Sequence, residues 1–276
     1  MVSSIFKDIT IGQYFAGNSI IHRLDARVKI AATFILLIVA FMAQNFYSLA
    51  AFAGFVIFLM IISTINPLIY LKTIKRLWPI ILFSAILNTI YQTGDVVFSW
   101  WIFEITEQGI YRAVFMATRI ILLVTVSGML TYTTTSTSLT DGIERLLRPL
   151  RFIGLGELVH VMAMMMTLAL RFIPTLVEEC QRILAAQMAR GANVDTGGVF
   201  KRMKALVPIL VPLLVASFKR AIELADAMEC RCYTGGKGRT RLNNPKYKTR
   251  DLIAFLMIAM LIVAVIWLNW RFERVF

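Results

Sequence analysis

Uninterrupted apolar stretches limit this chain more than any other feature. About 30 Å of hydrocarbon is crossed at 1.5 Å per helical residue, so a span needs roughly 20 mostly apolar residues. Such runs extend from just after Lys29 to about Ala43, from Tyr47 to Ile65, from Leu77 to Gln92, from Gly109 to Tyr132 and from Leu252 to Leu268. Trp78-Pro79 opens the third, where proline suits a first helical turn. The last contains no charge and carries Trp267 and Trp270 at its far end. Composition agrees: 58% of residues are hydrophobic and only 16% charged, against about 45–50% and about 25% in soluble domains. A soluble enzyme, a disordered regulator and a secreted disulfide scaffold all fit poorly. The expected fold class is an all-α integral membrane protein with about five transmembrane helices.

Charge sets the expected orientation. Lys and Arg number 29 against 16 Asp and Glu, a net charge of +13. In a soluble protein that excess points to nucleic acid. In a membrane protein basic residues collect on the cytoplasmic side, so no nucleic-acid partner is expected. The segment before the first run carries Lys7, Arg23, Arg27 and Lys29 against Asp8 and Asp25. Lys72, Lys75 and Arg76 lie between runs two and three, whereas Asp95, Glu104 and Glu107 lie between runs three and four. The alternation places the N-terminus inside and the C-terminus outside. Arg271 and Arg274 run against it, with Glu273 between them. Cys180, Cys230 and Cys232 make no disulfide framework, and the polar stretch after Met1 does not read as a cleavable signal peptide.

Arg112 and Arg119 lie seven apart on one face of the fourth run. Arg112 can snorkel to the interface. Arg119 is deeper, and an intramembrane charge marks a functional candidate by default. Backbone carbonyls, Asn88 or Tyr91 would satisfy it; the sharper reading is contact with another subunit.

Between the last two runs, residues 136–250 hold 18 Lys and Arg and 9 Asp and Glu. This block is expected to be cytoplasmic, which divides the chain into an N-terminal membrane region (1–135), the basic region (136–250) and a final span with the C-terminus (251–276). The stretches 158–170 and 205–218 are nearly as apolar as the spans. Pro174, Pro208 and Pro212 interrupt them, each expected to bend or break a helix because it removes a backbone donor. Asp141 and Glu144 have capping-box spacing, predicting a short helix over 141–148 that stops at Pro149. Two long amphipathic helices follow. Cys180, Ile183, Leu184 and Met188 make one apolar stripe on a helix that closes with Ala189-Arg190-Gly191, the glycine being a suitable left-handed stop. Phe218, Ala221, Ile222, Ala225 and Met228 make another, running into Cys230-Arg231-Cys232, with Gly235-Gly236 as the expected stop. Each helix thus brings one arginine to its C-terminal tip, 41 residues apart, where the helix dipole favours a cation.

No catalytic constellation emerges. Thr234–Thr240 is Gly-rich but lacks the glycine four residues before a Gly-Lys-Ser/Thr unit, so it reads as a basic turn. Cys230 and Cys232 lack a second ligand pair, and His22 and His160 are the only histidines. Met162, Met164, Met165 and Met166 could be soft metal ligands but read better as adaptable packing surface. No metal and no cofactor in this chain is expected.

The chain resembles the transmembrane T component of energy-coupling factor (ECF) transporters. The likeness is carried by Gly12-Gln13-Tyr14 leading to the segment Ser19–Lys29, in which Ala26 stands where the family often has proline. It is carried further by Leu139–Leu150, by Arg171-Phe172-Ile173-Pro174 and by two short arginine motifs in order. Ala189-Arg190-Gly191 matches the first, and Cys230-Arg231-Cys232 matches the second with cysteines in place of Ala and Gly. The resemblance implies a multi-pass, non-catalytic subunit of a prokaryotic cell membrane, whose coupling domain is built of long Pro-interrupted amphipathic helices. It further implies two cytoplasmic ABC-type ATPases that bind ATP and Mg, docked one each on the motifs of Arg190 and Arg231. A small membrane S component that captures a vitamin or other micronutrient would meet the Met-rich surface (Met162, Met164, Met165, Met166). Arginine suits docking because its fork stays charged and can grip carboxylates or helix-end carbonyls bidentately. A self-sufficient secondary carrier would show paired internal repeats, and no second half resembles the first. A membrane-bound transferase lacks its acidic or histidine site.

Overall fold

The computed structural model describes residues 14–91, 96–100, 103–147, 156–191, 199–235 and 249–272. Gly12 and Gln13, Gln92, Asp95, Arg148–Leu150, Gly236–Thr240 and Glu273–Arg274, singled out above, lie outside the described residues. Among the described residues are α1 (Ala26–Met42), α2 (Phe46–Ser63), α3 (Pro67–Tyr91), β1 (Val96–Trp100), β2 (Phe103–Thr106), α4 (Glu107–Thr133), α5 (Ser136–Leu146), α6 (Gly156–Ala189), α7 (Val199–Glu229) and α8 (Thr249–Arg271). The architecture is that of an all-α integral membrane protein, apart from one antiparallel hairpin, β1–β2. That hairpin occupies the acidic connection between the third and fourth apolar runs and was not expected.

Among the described residues five helices are long and apolar enough to cross a membrane: α2, α4, α6, α7 from Lys204 and α8. The number matches the expectation, but the membership does not. The expected first span falls on α1, which has only 17 residues. The expected third span is the second half of α3, which begins ten residues earlier and carries Lys72, Lys75 and Arg76 in its first half. Helices α6 and α7 also meet that length and hydropathy, which alone do not separate a helix that crosses lipid from one greased for a partner.

The chain divides into two compact units. One holds the described residues up to Thr135 and those from Thr249 onward. Its core is the meeting of α1, α2, α4 and α8: Leu36, Val39 and Ala40 face Phe52 and Val56, Phe115, Leu122 and Val126, and Ile258, Leu261 and Val265. Helix α3 packs on α4, where a Cβ on Gly109 would lie 2.9 Å from the Thr89 carbonyl oxygen; only glycine permits that approach.

Polar side chains in this unit serve the ends of its helices. The last four carbonyls of a helix have no intrahelical donor, and lipid supplies none. At the end of α1, Asn269 Nδ2 donates to Met42 O at 2.7 Å, and Arg119 Nη2 donates to Ala43 O. Arg119 also lies over the Phe115 ring, 4.8 Å from its centroid. Its partner is a backbone carbonyl, as the simpler expectation had it. At the end of α8, Asn45 Nδ2 donates to Leu268 O at 3.2 Å and Phe272 O at 2.8 Å. At the end of α4, the Phe15 N–H donates to Tyr132 O at 3.0 Å and Lys29 Nζ to Thr133 O at 2.9 Å. Lys29 also donates to His22 O at 3.1 Å, which ties the segment before α1 onto α4. Within that segment His22 Nε2 lies 3.0 Å from Phe15 O, and Nδ1 2.6 Å from Ser19 Oγ.

The second unit, from Ser136 to Gly235 among the described residues, is built from α5, α6 and α7. Helix α5 begins at Ser136, five residues before the expected start, so the Ser/Thr run is partly helical. Helices α6 and α7 run unbroken through Pro174, Pro208 and Pro212, so none of the three breaks its helix. Pro212 offers no N–H to the carbonyl of residue 208 four positions back, and Gln187 Nε2 from α6 donates to that carbonyl at 3.4 Å. His160 and Glu144 approach to 3.6 Å between α6 and α5.

Two outcomes test this account. Arg119→Met removes the donor to Ala43 O, and a hydrogen bond to a charged group is worth about 1.5–3 kcal/mol; the thermal midpoint of the protein in detergent is expected to fall by several degrees. Burial holds the His22 imidazole below its ordinary 6.5, reinforced by the Lys29 charge and opposed by the Phe15 carbonyl. A folded-state value below the unfolded one means that the neutral ring's stabilisation is complete above pH 6.5 and is lost as the pH falls. Trypsin cleavage after Arg23 is expected to accelerate between pH 7 and pH 5.5 beyond the enzyme's own pH response, and His22→Gln is expected to remove that excess.

Candidate functional site

The two arginine motifs sit at the C-terminal tips of α6 and α7, and the two tips are built alike. On α6, Arg190 N–H bonds Ala186 O and Gln187 O, each at 3.2 Å, and the Gly191 N–H bonds Met188 O at 3.0 Å. Gly191 has φ +84°, the left-handed stop expected there. On α7, the Cys232 N–H bonds Glu229 O at 2.8 Å and the Tyr233 N–H bonds Met228 O at 3.0 Å. This pair of bonds is the Schellman cap, with Cys232 in its left-handed position at φ +55°. The stop on α7 is therefore Cys232, three residues before the expected Gly235. In both tips the arginine directly precedes the left-handed residue, so the side chain leaves the helix where its carbonyls end.

Ala189, Arg190, Gly191, Cys230, Arg231 and Cys232 are all exposed. Neither arginine side chain makes a hydrogen bond or ion pair with a described residue. The tips are not brought together. Gln187, near the end of α6, touches α7 at Pro208; Glu229 lies 21 residues farther along α7, roughly 30 Å of helix at 1.5 Å per residue. They are two separate exposed tips.

The expected apolar stripes differ in fate. On α6, Leu184 is buried and Cys180 and Ile183 half-buried, leaving only Met188 open; that stripe is spent largely inside the chain. On α7, Phe218 is 68% and Ile222 61% exposed, with Ala221 and Ala225 also open and Met228 half-buried. Met162, Met165 and Met166 are exposed on α6, whereas Met164 is half-buried. Pro174, Pro208 and Pro212 are exposed. Among the described residues no three His, Cys, Asp or Glu side chains gather where they could hold a metal ion. Ile209, buried at 6%, and Tyr233, which closes the α7 cap, were not singled out in the sequence. A hydrophobic residue beside two prolines and an aromatic just past a helix stop carry little local signal.

The cap geometry predicts the effect of repairing the second motif. A left-handed conformation costs an L-residue about 1–2 kcal/mol, part of which glycine returns through a freer unfolded chain. Cys232→Gly is expected to keep the tip intact and to slow amide exchange at Tyr233, whereas Cys232→Val is expected to fray it.

Comparisons with known proteins identify the family. Residues 17–242 match the family model described as cobalt transport protein. The chain is 44% identical over 263 residues to the energy-coupling factor transporter transmembrane protein EcfT of Acidaminococcus fermentans, covering 95% of this chain and 97% of that protein. The EcfT of Brevibacillus brevis is 43% identical over 268 residues, 97% of this chain and 100% of that one. The EcfT of Bacillus subtilis is 39% identical over 256 residues, covering 91% and 96%. With its apolar helices and paired arginine tips, the chain belongs to the EcfT family of transmembrane components of energy-coupling factor transporters.

Proposed function

We propose that this protein is the coupling subunit of an ATP-driven importer, and that it hydrolyses nothing itself. Two cytoplasmic ABC-type ATPases dock on the tips of α6 and α7, one through Arg190 and the other through Arg231. A small S component of the cell membrane, which captures a vitamin or other micronutrient, rests on the exposed methionine surface of α6. ATP-driven changes in the separation of the ATPases pass along α6 and α7 to that component. The basic connections, Arg23 to Lys29, Lys72 to Arg76 and residues 136–250, face the cytoplasm together with the N-terminus.

One observation carries this reading: two similar C-caps each present an exposed arginine, unpaired among the described residues, at two points separated by roughly 30 Å of helix. A single binding site would need the arginines together; two partners of one kind need them apart and alike. The open face of α7 around Phe218 and Ile222 supplies apolar area for a groove beside its arginine.

The test is co-purification of the ATPases with Arg190→Glu, Arg231→Glu and the double variant. Loss of a buried charge-assisted contact costs about 2–5 kcal/mol, so each single variant is expected to lower ATPase affinity at least 30-fold with unchanged membrane insertion. The double variant should retain no ATPase. Normal assembly and uptake by the double variant would refute the docking assignment.

A further inference from the structure

A cavity of about 460 Å³ opens among α1, α2, α4, α8 and the segment before α1. Its size falls within the roughly 300–1,000 Å³ of small-molecule sites. Each helix lends it one face. Lys29, Ala32, Thr33 and Leu36 of α1 follow one another at i, i+3, i+4 and i+7; Arg250, Ile253, Ala254, Met257 and Ile258 of α8 do the same over two turns. The wall is polarised along its length. Arg23, Lys29 and Arg250 lie at the end where α1 and α8 begin and α4 finishes. Seven or eight residues farther in, roughly 10–12 Å along the helices, the lining is Leu36, Phe55, Val126 and Ile258.

Three basic side chains line the cavity, and no acidic one does. Two acids lie nearby without lining the cavity: Asp25, whose Oδ1 accepts the Arg27 N–H at 3.0 Å and whose charge acts on Lys29, and Asp251, whose Oδ1 accepts the Asp25 N–H at 3.3 Å. Lys29 spends two of its three donors on the His22 and Thr133 carbonyls. Arg23 and Arg250 are exposed, and neither side chain bonds a described residue. A cationic mouth over a hydrocarbon-like shaft is complementary to one kind of molecule, an amphiphile with an anionic head. Basic pockets between transmembrane helices take acidic lipid head groups for this reason.

We infer that this cavity is a specific site for one anionic phospholipid, with its phosphate held by Arg23 and Arg250 and one acyl chain lying against α1, α2, α4 and α8. The neutral alternatives fail on charge: a zwitterionic lipid carries its own cation to the mouth, and an apolar helix from a partner leaves both guanidinium groups unanswered. A bound chain would fill the space between the segment that holds the end of α4 and the core of the bundle. The lipid would then be a structural part of the membrane unit, independent of what docks on α6 and α7.

The experiment uses the full-length protein reconstituted in equimolar phosphatidylglycerol and phosphatidylcholine, extracted in mild detergent and weighed by native mass spectrometry. About one phosphatidylglycerol per chain is expected to remain, at several-fold preference over phosphatidylcholine. Arg23→Gln with Arg250→Gln is expected to abolish the preference while leaving the lipid-free thermal midpoint unchanged. Ala254→Trp is expected to lower retention of both lipids by filling the shaft. Equal retention of the two lipids by the unmodified protein, or a preference that survives the double substitution, would overturn the inference. Displacement of the lipid by inorganic phosphate alone would do so as well, since it would reduce the site to its charges.

Discussion

Helix-end carbonyls that lack an intrahelical donor are the constraint on which the membrane unit depends. A helix in lipid satisfies its interior by itself and leaves its last turn in need of donors. Here the donors come from other elements: Arg119 and Asn269 serve the end of α1, Asn45 the end of α8, and Lys29 with the Phe15 N–H the end of α4. Each such bond spans more than 70 residues of sequence, so each also fixes how two elements meet. The same few polar residues therefore do the capping and set the arrangement of the bundle. Their rarity in an apolar chain is what makes the pairing specific, because few wrong partners are on offer.

The second unit follows a different rule. Helices α6 and α7 bury little within the chain, and Leu206, Val207, Leu210, Val211, Leu214, Val215 and Phe218 of α7 are about half or more exposed, whereas Ile209 is buried. Exposed apolar area of this extent belongs against lipid or another protein. Pro212 is tolerated within α7 because the carbonyl it frees, that of Pro208, finds Gln187 across the interface. What the unit builds most carefully is its ends. Gly191 and Cys232 occupy the same left-handed place in two caps, one residue after an arginine, and a cysteine accepts there the strain that a glycine would avoid.

Much of this was legible beforehand, and the failures share a cause. Spans on α2, α4 and α8 followed from length and hydropathy, and the arginine tips from the amphipathic pattern that stops at Ala189-Arg190-Gly191. Helix α5 was placed too late because a Ser/Thr run reads as coil locally but is held helical by its surroundings. The stop of α7 was placed at Gly235 because glycine is the usual left-handed residue, and only backbone geometry shows that Cys232 takes that role. The β1–β2 hairpin fell in a connection read for charge alone.

The sequence by itself determined that this chain belongs in a membrane, which segments are helical and that two of them end in arginine, since these depend on local hydropathy, periodicity and spacing. Tertiary structure alone decided which carbonyl Arg119 answers, that Leu184 is spent inside while Phe218 and Ile222 stay open, and that Arg190 and Arg231 stand far apart. It also decided that Arg250 shares one cavity with Arg23 and Lys29, more than 200 residues away along the chain. Each of those outcomes depends on how helices distant in sequence come to lie beside one another, and no local pattern records that.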